Sequence, residues 1–159
     1  MDTRAIIRAI KDRGRITIQE GYGNRFTLIA AEKWDANTDS PEGVFLFSDL
    51  FQIRSIALPF SEVSLDIVEL TNKPFIYHTI ANTAVVNAPK IDNKVRFSVI
   101  KSNPWNKLLF NYGGLVIFQA DNTGSEEIYH TNEKFPLLAP KGVGEMFLGS
   151  EGEVKILNE

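Results

Sequence analysis

The strongest indication of the fold is the sequence RITIQEGYGNRFTLIAAEKW at residues 15–34. Apolar side chains recur at every second position on both sides of the sequence GYGN, residues 21–24. A period of two places successive side chains on opposite faces of a strand, and glycine next to asparagine favours a tight turn. The stretch therefore predicts two antiparallel strands joined as a hairpin.

The same alternation appears further along the chain. Residues 62–70 and residues 94–101 alternate between apolar and polar side chains, and Gly113-Gly114 and residues 121–124 are turn signals between shorter apolar runs. Short strands separated by turns are typical of antiparallel sandwiches and barrels. We therefore expect a mainly β fold, an antiparallel β-sandwich or barrel, with a jelly-roll arrangement as one form of it.

One short α-helix is predicted, at the N-terminus over residues 1–14. Asp2 or Thr3 can cap its start, and Gly14 can take the left-handed conformation that ends many helices. Ile6, Ile7 and Ile10 are predicted to fall on one face of this helix. Because an isolated helix of this length is marginal in water, we expect the apolar face to dock on the sheet or on a neighbouring subunit.

Length and composition set the broad class of protein. The chain has 159 residues, of which 43% are hydrophobic and 23% charged, and its formal net charge is −3. These values indicate a globular protein, and we expect the helix at 1–14 to precede a single β-rich domain at 15–159. The chain contains no cysteine, which excludes disulfides, thiolate metal sites and cysteine catalysis. With no long apolar run either, we expect a protein without membrane association that is cytoplasmic, or that is assembled into a particle in the cytoplasm.

Basic residues are concentrated on the predicted helix. Arg4, Arg8, Lys11 and Arg13 lie in it, although acidic residues outnumber basic residues in the whole chain by 20 to 17. That balance makes nucleic acid an unlikely partner. A basic helix on an acidic body suits contact with an acidic protein surface, including a second copy of the chain, so we expect a homo-oligomer or a protein partner.

Two aromatic residues in predicted turns extend this candidate surface. Trp105 follows an Asn-Pro pair, and Tyr112 precedes a Gly-Gly pair. Exposed aromatic rings can anchor a protein interface, although they can equally cap the end of a core. We assign Trp105 and Tyr112, with the four basic residues of the helix, as candidate partner-binding residues.

The loop at residues 35–42 contains the sharpest metal-like pattern. Asp35, Asn37 and Asp39 occupy alternate positions, as the first ligands of a calcium loop do, but the glycine and the bidentate glutamate that complete such a loop are missing. A solvated turn explains the same residues, because Asp, Asn and Ser favour turns. We therefore expect no cofactor, with calcium at Asp35, Asn37 and Asp39 as the alternative.

Motifs for catalysis are missing from the sequence. His78 and His130 are the only two histidines, and no nucleophile-elbow or phosphate-loop motif occurs. We therefore expect a non-enzymatic structural or interaction subunit that self-assembles or docks on a protein, as components of phage or virus-like particles do. One alternative is a carbohydrate- or calcium-dependent binding module that uses the 35–42 loop. A second alternative is a small hydrolase or isomerase that uses His78 or His130.

Overall fold

The computed structural model of the protein describes residues 1–120 and 127–158. Nine strands of this described part form one mixed sheet. In chain order they are β1 (Arg15–Gln19), β2 (Arg25–Ala30), β3 (Val44–Phe47), β4 (Phe75–Ile80), β5 (Lys94–Val99), β6 (Val116–Ala120), β7 (Ile128–His130), β8 (Gly144–Leu148) and β9 (Val154–Asn158). Their order across the sheet is β7-β1-β2-β6-β3-β5-β4-β8-β9. The pairs β1–β7, β3–β5 and β4–β8 are parallel, and the other neighbours are antiparallel.

Helices lie on both faces of the sheet. They are α1 (Thr3–Arg13), α2 (Glu62–Leu70) and α3 (Trp105–Tyr112), with short 3₁₀ helices at Ala31–Lys33, Leu50–Ser55 and Pro136–Leu138. On one face, α1 and α3 pack on the strands and contribute residues such as Ile6 and Leu108 to a buried cluster. On the other face, α2 and the second 3₁₀ helix contribute Val68 and Ile53 to a second cluster. Every helix in the described residues is too short or too polar to span a bilayer.

The predicted antiparallel β-sandwich or barrel, with its jelly-roll form, is wrong. One sheet with parallel pairs and with helices on both faces is a mixed α/β architecture. Alternation along a strand indicates that one face is buried, but it does not specify which strand lies alongside. For example, β3 and β5 become parallel neighbours because α2 and β4 carry the chain back between them.

The strand predicted at residues 62–70 is instead the helix α2. The hydroxyl of Ser61 accepts a hydrogen bond from the backbone amide of Ser64 and so caps the start of the helix. Ser64 and Val68, four residues apart, are buried, whereas Val63 is 58% exposed. The burial therefore follows the helical period, and the alternation of apolar residues in this segment is coincidental.

The turns predicted at Trp105 and at Tyr112 are instead the two ends of the helix α3. Trp105, Leu108 and Leu109 are buried on one side of it, as helical spacing requires. Gly113 ends the helix with a φ of 80°, which is the left-handed conformation that glycine adopts without strain. The glycine that suggested a hairpin therefore serves as a helix terminator.

Two local predictions are confirmed. The N-terminal helix forms as α1, where the Asp2 carboxylate accepts from the backbone amide of Ala5 and Gly14 ends the helix at a φ of 81°. The hairpin also forms, with β1 and β2 paired antiparallel around the GYGN turn. The turn predicted at residues 121–124 lies outside the described residues.

Candidate functional site

A cleft of about 620 Å³ lies along α1, β1 and β7. The helix supplies one wall, and the strand β1 and the start of β7 supply the other. The lining residues are Ala5, Ala9, Arg13, Arg15, Ile16, Thr17, Glu127, Ile128 and Tyr129. The cleft therefore combines small and apolar surfaces with two guanidinium groups, a carboxylate, a hydroxyl and a phenol.

The spacing of α1 explains its wall of the cleft. Ala5, Ala9 and Arg13 are four residues apart, so their side chains form one line along the helix. The two alanines leave space beside the strands, and Arg13 closes the line in the last turn of the helix. Of the four basic residues predicted to form one surface, only Arg13 lines this cleft, while Arg4, Arg8 and Lys11 are exposed elsewhere on the helix.

Arg13 forms a salt bridge with Glu127, the residue that precedes β7. The side chains of Arg13 and Glu127 are 56% and 76% exposed. A salt bridge exposed to this degree contributes only about 0–1 kcal/mol, because water and ions screen the charges. The contact can therefore open without much cost to the stability of the fold.

Arg15 is held much more firmly than Arg13. Its two terminal nitrogens donate to the two carboxylate oxygens of Asp39 at 2.9 and 3.0 Å, and the Asp39 side chain is only 2% exposed. Desolvation would raise the pKa of Asp39, but the hydrogen bonds from Arg15 and from the backbone amide of Asp35 outweigh it and hold that pKa below its usual range. Arg15 is therefore a fixed positive group at the cleft.

Hydrogen bonds also position the polar groups of Thr17 and Tyr129. The hydroxyls of Thr17 and Thr27 lie 3.2 Å apart, because antiparallel pairing of β1 and β2 places these residues opposite each other. The hydroxyl of Tyr129 accepts from the backbone amide of Asp2 at 2.7 Å and so ties β7 to the start of α1. These hydrogen bonds fix the Tyr129 hydroxyl to the α1 wall and the Thr17 hydroxyl to β2.

The predicted partner-binding aromatics do not lie in exposed turns, so that premise is wrong. Trp105 is buried, its indole N–H donates to the backbone carbonyl of Lys134 at 2.8 Å, and its ring packs edge-on against Phe26 and Phe135. Tyr112 is half-buried and packs against the same cluster. Burial raises the pKa of its phenol. A role for either residue in partner binding stays a prediction.

The loop with the metal-like pattern turns its oxygens to other partners. Asp39 is engaged by Arg15, and the Asp35 carboxylate accepts from the backbone amide of Asn37 at 2.9 Å. Within residues 1–120 and 127–158, no three His, Asp or Glu side chains come together in a way that could hold a metal ion. The alternate spacing of Asp35, Asn37 and Asp39 is thus explained by a compact turn.

The two histidines lie far apart in the sheet. His78 is on β4 and His130 is on β7, with five strands between them. The ring Nε2 of His78 lies 2.8 Å from a carboxylate oxygen of Glu145 on the neighbouring β8, whereas His130 is exposed. Neither histidine lines the cleft.

Sequence reasoning missed most of the cleft. The line of Ala5, Ala9 and Arg13 could have been found from its four-residue spacing. Nothing in the sequence indicates that Glu127 and Tyr129 lie beside it, because that proximity depends on the parallel pairing of β7 with β1.

A larger cavity, about 730 Å³, lies between the 3₁₀ helix Leu50–Ser55 and α2. Its walls are mainly apolar and include Phe51, Leu58, Phe60 and Leu65, with Arg54 as its basic group. The Arg54 guanidinium lies 5.5 Å from the centre of the Phe51 ring and donates to the Phe51 carbonyl. The cleft beside α1 therefore offers the better surroundings for an anionic ligand.

No protein-family model and no curated protein matches the chain. Solved structures with the same fold do match. A double variant of Sua5 from P. abyssi aligns with a TM-score of 0.69 at 9% identity over 92% of this chain and 50% of that chain. YciO from E. coli aligns with a TM-score of 0.67 at 13% identity over 99% of this chain and 92% of that chain. Full-length HypF, in its phosphate- and nucleotide-bound form, aligns with a TM-score of 0.62 at 14% identity over 99% of this chain and 26% of that chain.

These likenesses identify the fold as a mixed α/β domain of the Sua5 type. The chain spans only half of the Sua5 chain and about a quarter of the HypF chain, 50% and 26% respectively. The prediction of a phage-like structural or interaction subunit is wrong, because the chain has the mixed α/β fold found in Sua5 and YciO. Its alternatives, the 35–42 binding module and the histidine hydrolase or isomerase, find no support in the fold or in the residues of the cleft. Homo-oligomerisation stays a prediction.

Proposed function

We propose that this chain binds a nucleotide, or a similar phosphate ester, in the cleft between α1 and the strands β1 and β7. The observation that carries the proposal is that the exposed guanidinium of Arg13 lines this cleft beside Arg15. A guanidinium is suited to phosphate, because its planar set of N–H donors matches two phosphate oxygens at once. Arg13 is the group that can offer these donors to a ligand, because the terminal nitrogens of Arg15 are held by Asp39.

The remaining walls of the cleft suit the other parts of such a ligand. The volume of about 620 Å³ falls within the range of about 300–1,000 Å³ that small-molecule sites occupy. Ala5, Ala9 and Ile128 provide an apolar surface for a flat base, and the hydroxyl of Thr17 can exchange hydrogen bonds with a sugar. The lining thus offers charged, polar and apolar groups, and a nucleotide has parts that suit each of them.

The fold supports the same ligand class independently of the cleft. A part of HypF, 26% of its chain, shares this fold, and full-length HypF was solved with phosphate and a nucleotide bound. At 14% identity this likeness carries no residue of HypF over to this chain, so the assignment of the cleft depends on its own chemistry.

The proposal covers binding alone. That the chain is not an enzyme stays a prediction, as does its cytoplasmic location, which the absence of cysteine supports and cell fractionation would test.

Isothermal titration calorimetry of the full chain at low salt, with ATP, AMP and inorganic phosphate, tests the proposal. We expect saturable binding of at least one nucleotide. Arg13→Gln should weaken that binding about tenfold, which corresponds to about 1.4 kcal/mol. Arg4→Gln removes the same charge from the same helix outside the cleft and should change the affinity less than about twofold.

Two results would overturn the proposal. The first is the absence of heat with every nucleotide at millimolar concentration. The second is an equal loss of affinity in Arg13→Gln and Arg4→Gln, since that would indicate general attraction of anions to the helix.

A further inference from the structure

The two arginines of the cleft are each paired with a carboxylate, and the two carboxylates differ sharply in burial. Asp39 is buried, binds Arg15 through both oxygens and also accepts from the backbone amide of Asp35 at 2.8 Å. Glu127 is 76% exposed and forms its salt bridge with Arg13 near the surface. The Arg13–Glu127 pair can therefore separate more easily than the Arg15–Asp39 pair.

Removing Asp39 from Arg15 would leave a buried carboxylate without its cation, which is strongly unfavourable. Separating Glu127 from Arg13 costs little, because both side chains are more than half exposed and water screens their charges. An incoming anion can therefore replace Glu127 on Arg13, but it cannot replace Asp39 on Arg15.

We infer that the Glu127 carboxylate is an internal competitor for the phosphate of the ligand: it occupies Arg13 when the cleft is empty and is displaced when the ligand binds. This inference rests on the proposed function. The apparent affinity is then lower than the intrinsic affinity by the fraction of molecules in which Arg13 is available.

The competition also selects among ligands by charge. A terminal phosphate monoester carries a charge of about −1.5 to −2 at neutral pH, whereas a carboxylate and a phosphodiester each carry a single charge. A dianion gains by replacing the monoanionic Glu127, but a phosphodiester exchanges one monoanion for another. The structure thus favours a nucleotide with a terminal monoester over a cyclic or esterified one.

Calorimetric titration of the parent chain and of Glu127→Gln with AMP and with cyclic AMP tests the inference. Glu127→Gln should bind AMP about fivefold to tenfold more tightly and should discriminate less between AMP and cyclic AMP. The control is Asp12→Asn, which also removes one negative charge next to Arg13, but from a residue that does not line the cleft. It should change the affinity for AMP less than twofold. Melting temperatures check that the variants are folded.

A double-mutant cycle then isolates the contact between the two side chains. In an Arg13→Gln background, Glu127→Gln should no longer tighten AMP binding. If the parent binds AMP and Glu127→Gln binds it equally or more weakly, or if Asp12→Asn reproduces the gain, the inference is overturned while the proposed function stands. If neither the parent nor Glu127→Gln binds any nucleotide, the proposed function itself fails.

Discussion

The carboxylate of Glu20 accepts a hydrogen bond of 2.9 Å from the backbone amide of Phe135, although 115 residues separate them in the chain. Its other oxygen accepts from the amides of Tyr22 and Asn24 at 2.8 and 3.0 Å, so one buried side chain organises the β1–β2 turn and fastens it to the segment after β7. This junction supports one wall of the cleft, because it keeps β7 beside β1.

The main chain strengthens the same junction. The amide of Gly21 donates to the carbonyl of Glu133 at 2.8 Å, and the amide of Thr131 donates to the carbonyl of Gln19 at 3.0 Å. A Cβ atom at position 21 would lie 2.4 Å from the carbonyl oxygen of Asn132. Glycine is therefore required at this position so that the two segments can approach each other.

Glu20→Gln should lower the free energy of unfolding by about 1–3 kcal/mol. The amide group of glutamine places an N–H donor where Glu20 presents an acceptor to three backbone N–H groups. Urea denaturation followed by circular dichroism measures the loss. Glu133→Gln makes the same chemical change at an exposed side chain nearby and should stay within about 0.5 kcal/mol of the parent. Equal stabilities of the two variants would contradict the structural role of Glu20.

Asp39→Asn should lower the free energy of unfolding at neutral pH by about 1–3 kcal/mol, because Arg15 loses its charged acceptor. The pKa of Asp39 is lowered in the folded protein, so its contribution is present above the unfolded-state pKa of about 3.9 and is lost as the pH falls through the lower folded-state pKa. Urea denaturation between pH 7 and pH 2 should therefore show the parent and the variant converging in acid.

The matched control for this pH dependence is Asp35→Asn, which changes an exposed carboxyl group in the same loop. Its difference from the parent should be smaller at neutral pH, since Asp35 accepts only a local backbone hydrogen bond from Asn37. A constant difference between Asp39→Asn and the parent over the whole pH range would show that the Asp39 charge is not what stabilises the fold.

Ala5→Trp should abolish nucleotide binding without unfolding the protein. Ala5 is exposed on the wall of the cleft, so an indole at this position fills space that the ligand needs, while the buried face of α1 is unchanged. Arg8→Trp places the same ring on the same helix outside the cleft. We expect calorimetry to show at least a tenfold loss of affinity for Ala5→Trp and a much smaller loss for Arg8→Trp. If Ala5→Trp bound the nucleotide as tightly as the parent, the ligand would have to bind outside this cleft.

The parts of the fold that could be predicted are those whose signals lie within one segment. α1 has its cap at Asp2, its terminator at Gly14 and its apolar face in between, and each of these acts over a few residues. α2 was open to misinterpretation because Val63, Leu65 and Ile67 alternate like a strand, whereas the cap at Ser61 favours a helix. Whether the strand pattern or the helix pattern prevails depends on how much apolar surface each would bury, and this depends on the elements that pack against the segment.

The candidate site was less predictable than the fold. Arg13 could be singled out from its charge, but its separation from Arg4, Arg8 and Lys11 follows from how α1 docks on the sheet. Trp105 next to a proline suggested an exposed turn, but its ring is buried because α3 packs on the sheet through that side.

Local sequence signals specify the start and end of α1, the β1–β2 hairpin and the alternating faces of several strands, because capping, turn formation and side-chain alternation act between residues close in the chain. The mixed sheet and the contact of Arg13 with Glu127, 114 positions apart, depend instead on how distant segments pack. The parallel pairing of β7 with β1 brings these residues together, and its free energy comes from contacts between distant segments. The β7 wall of the cleft and the Arg13–Glu127 salt bridge therefore depend on this pairing.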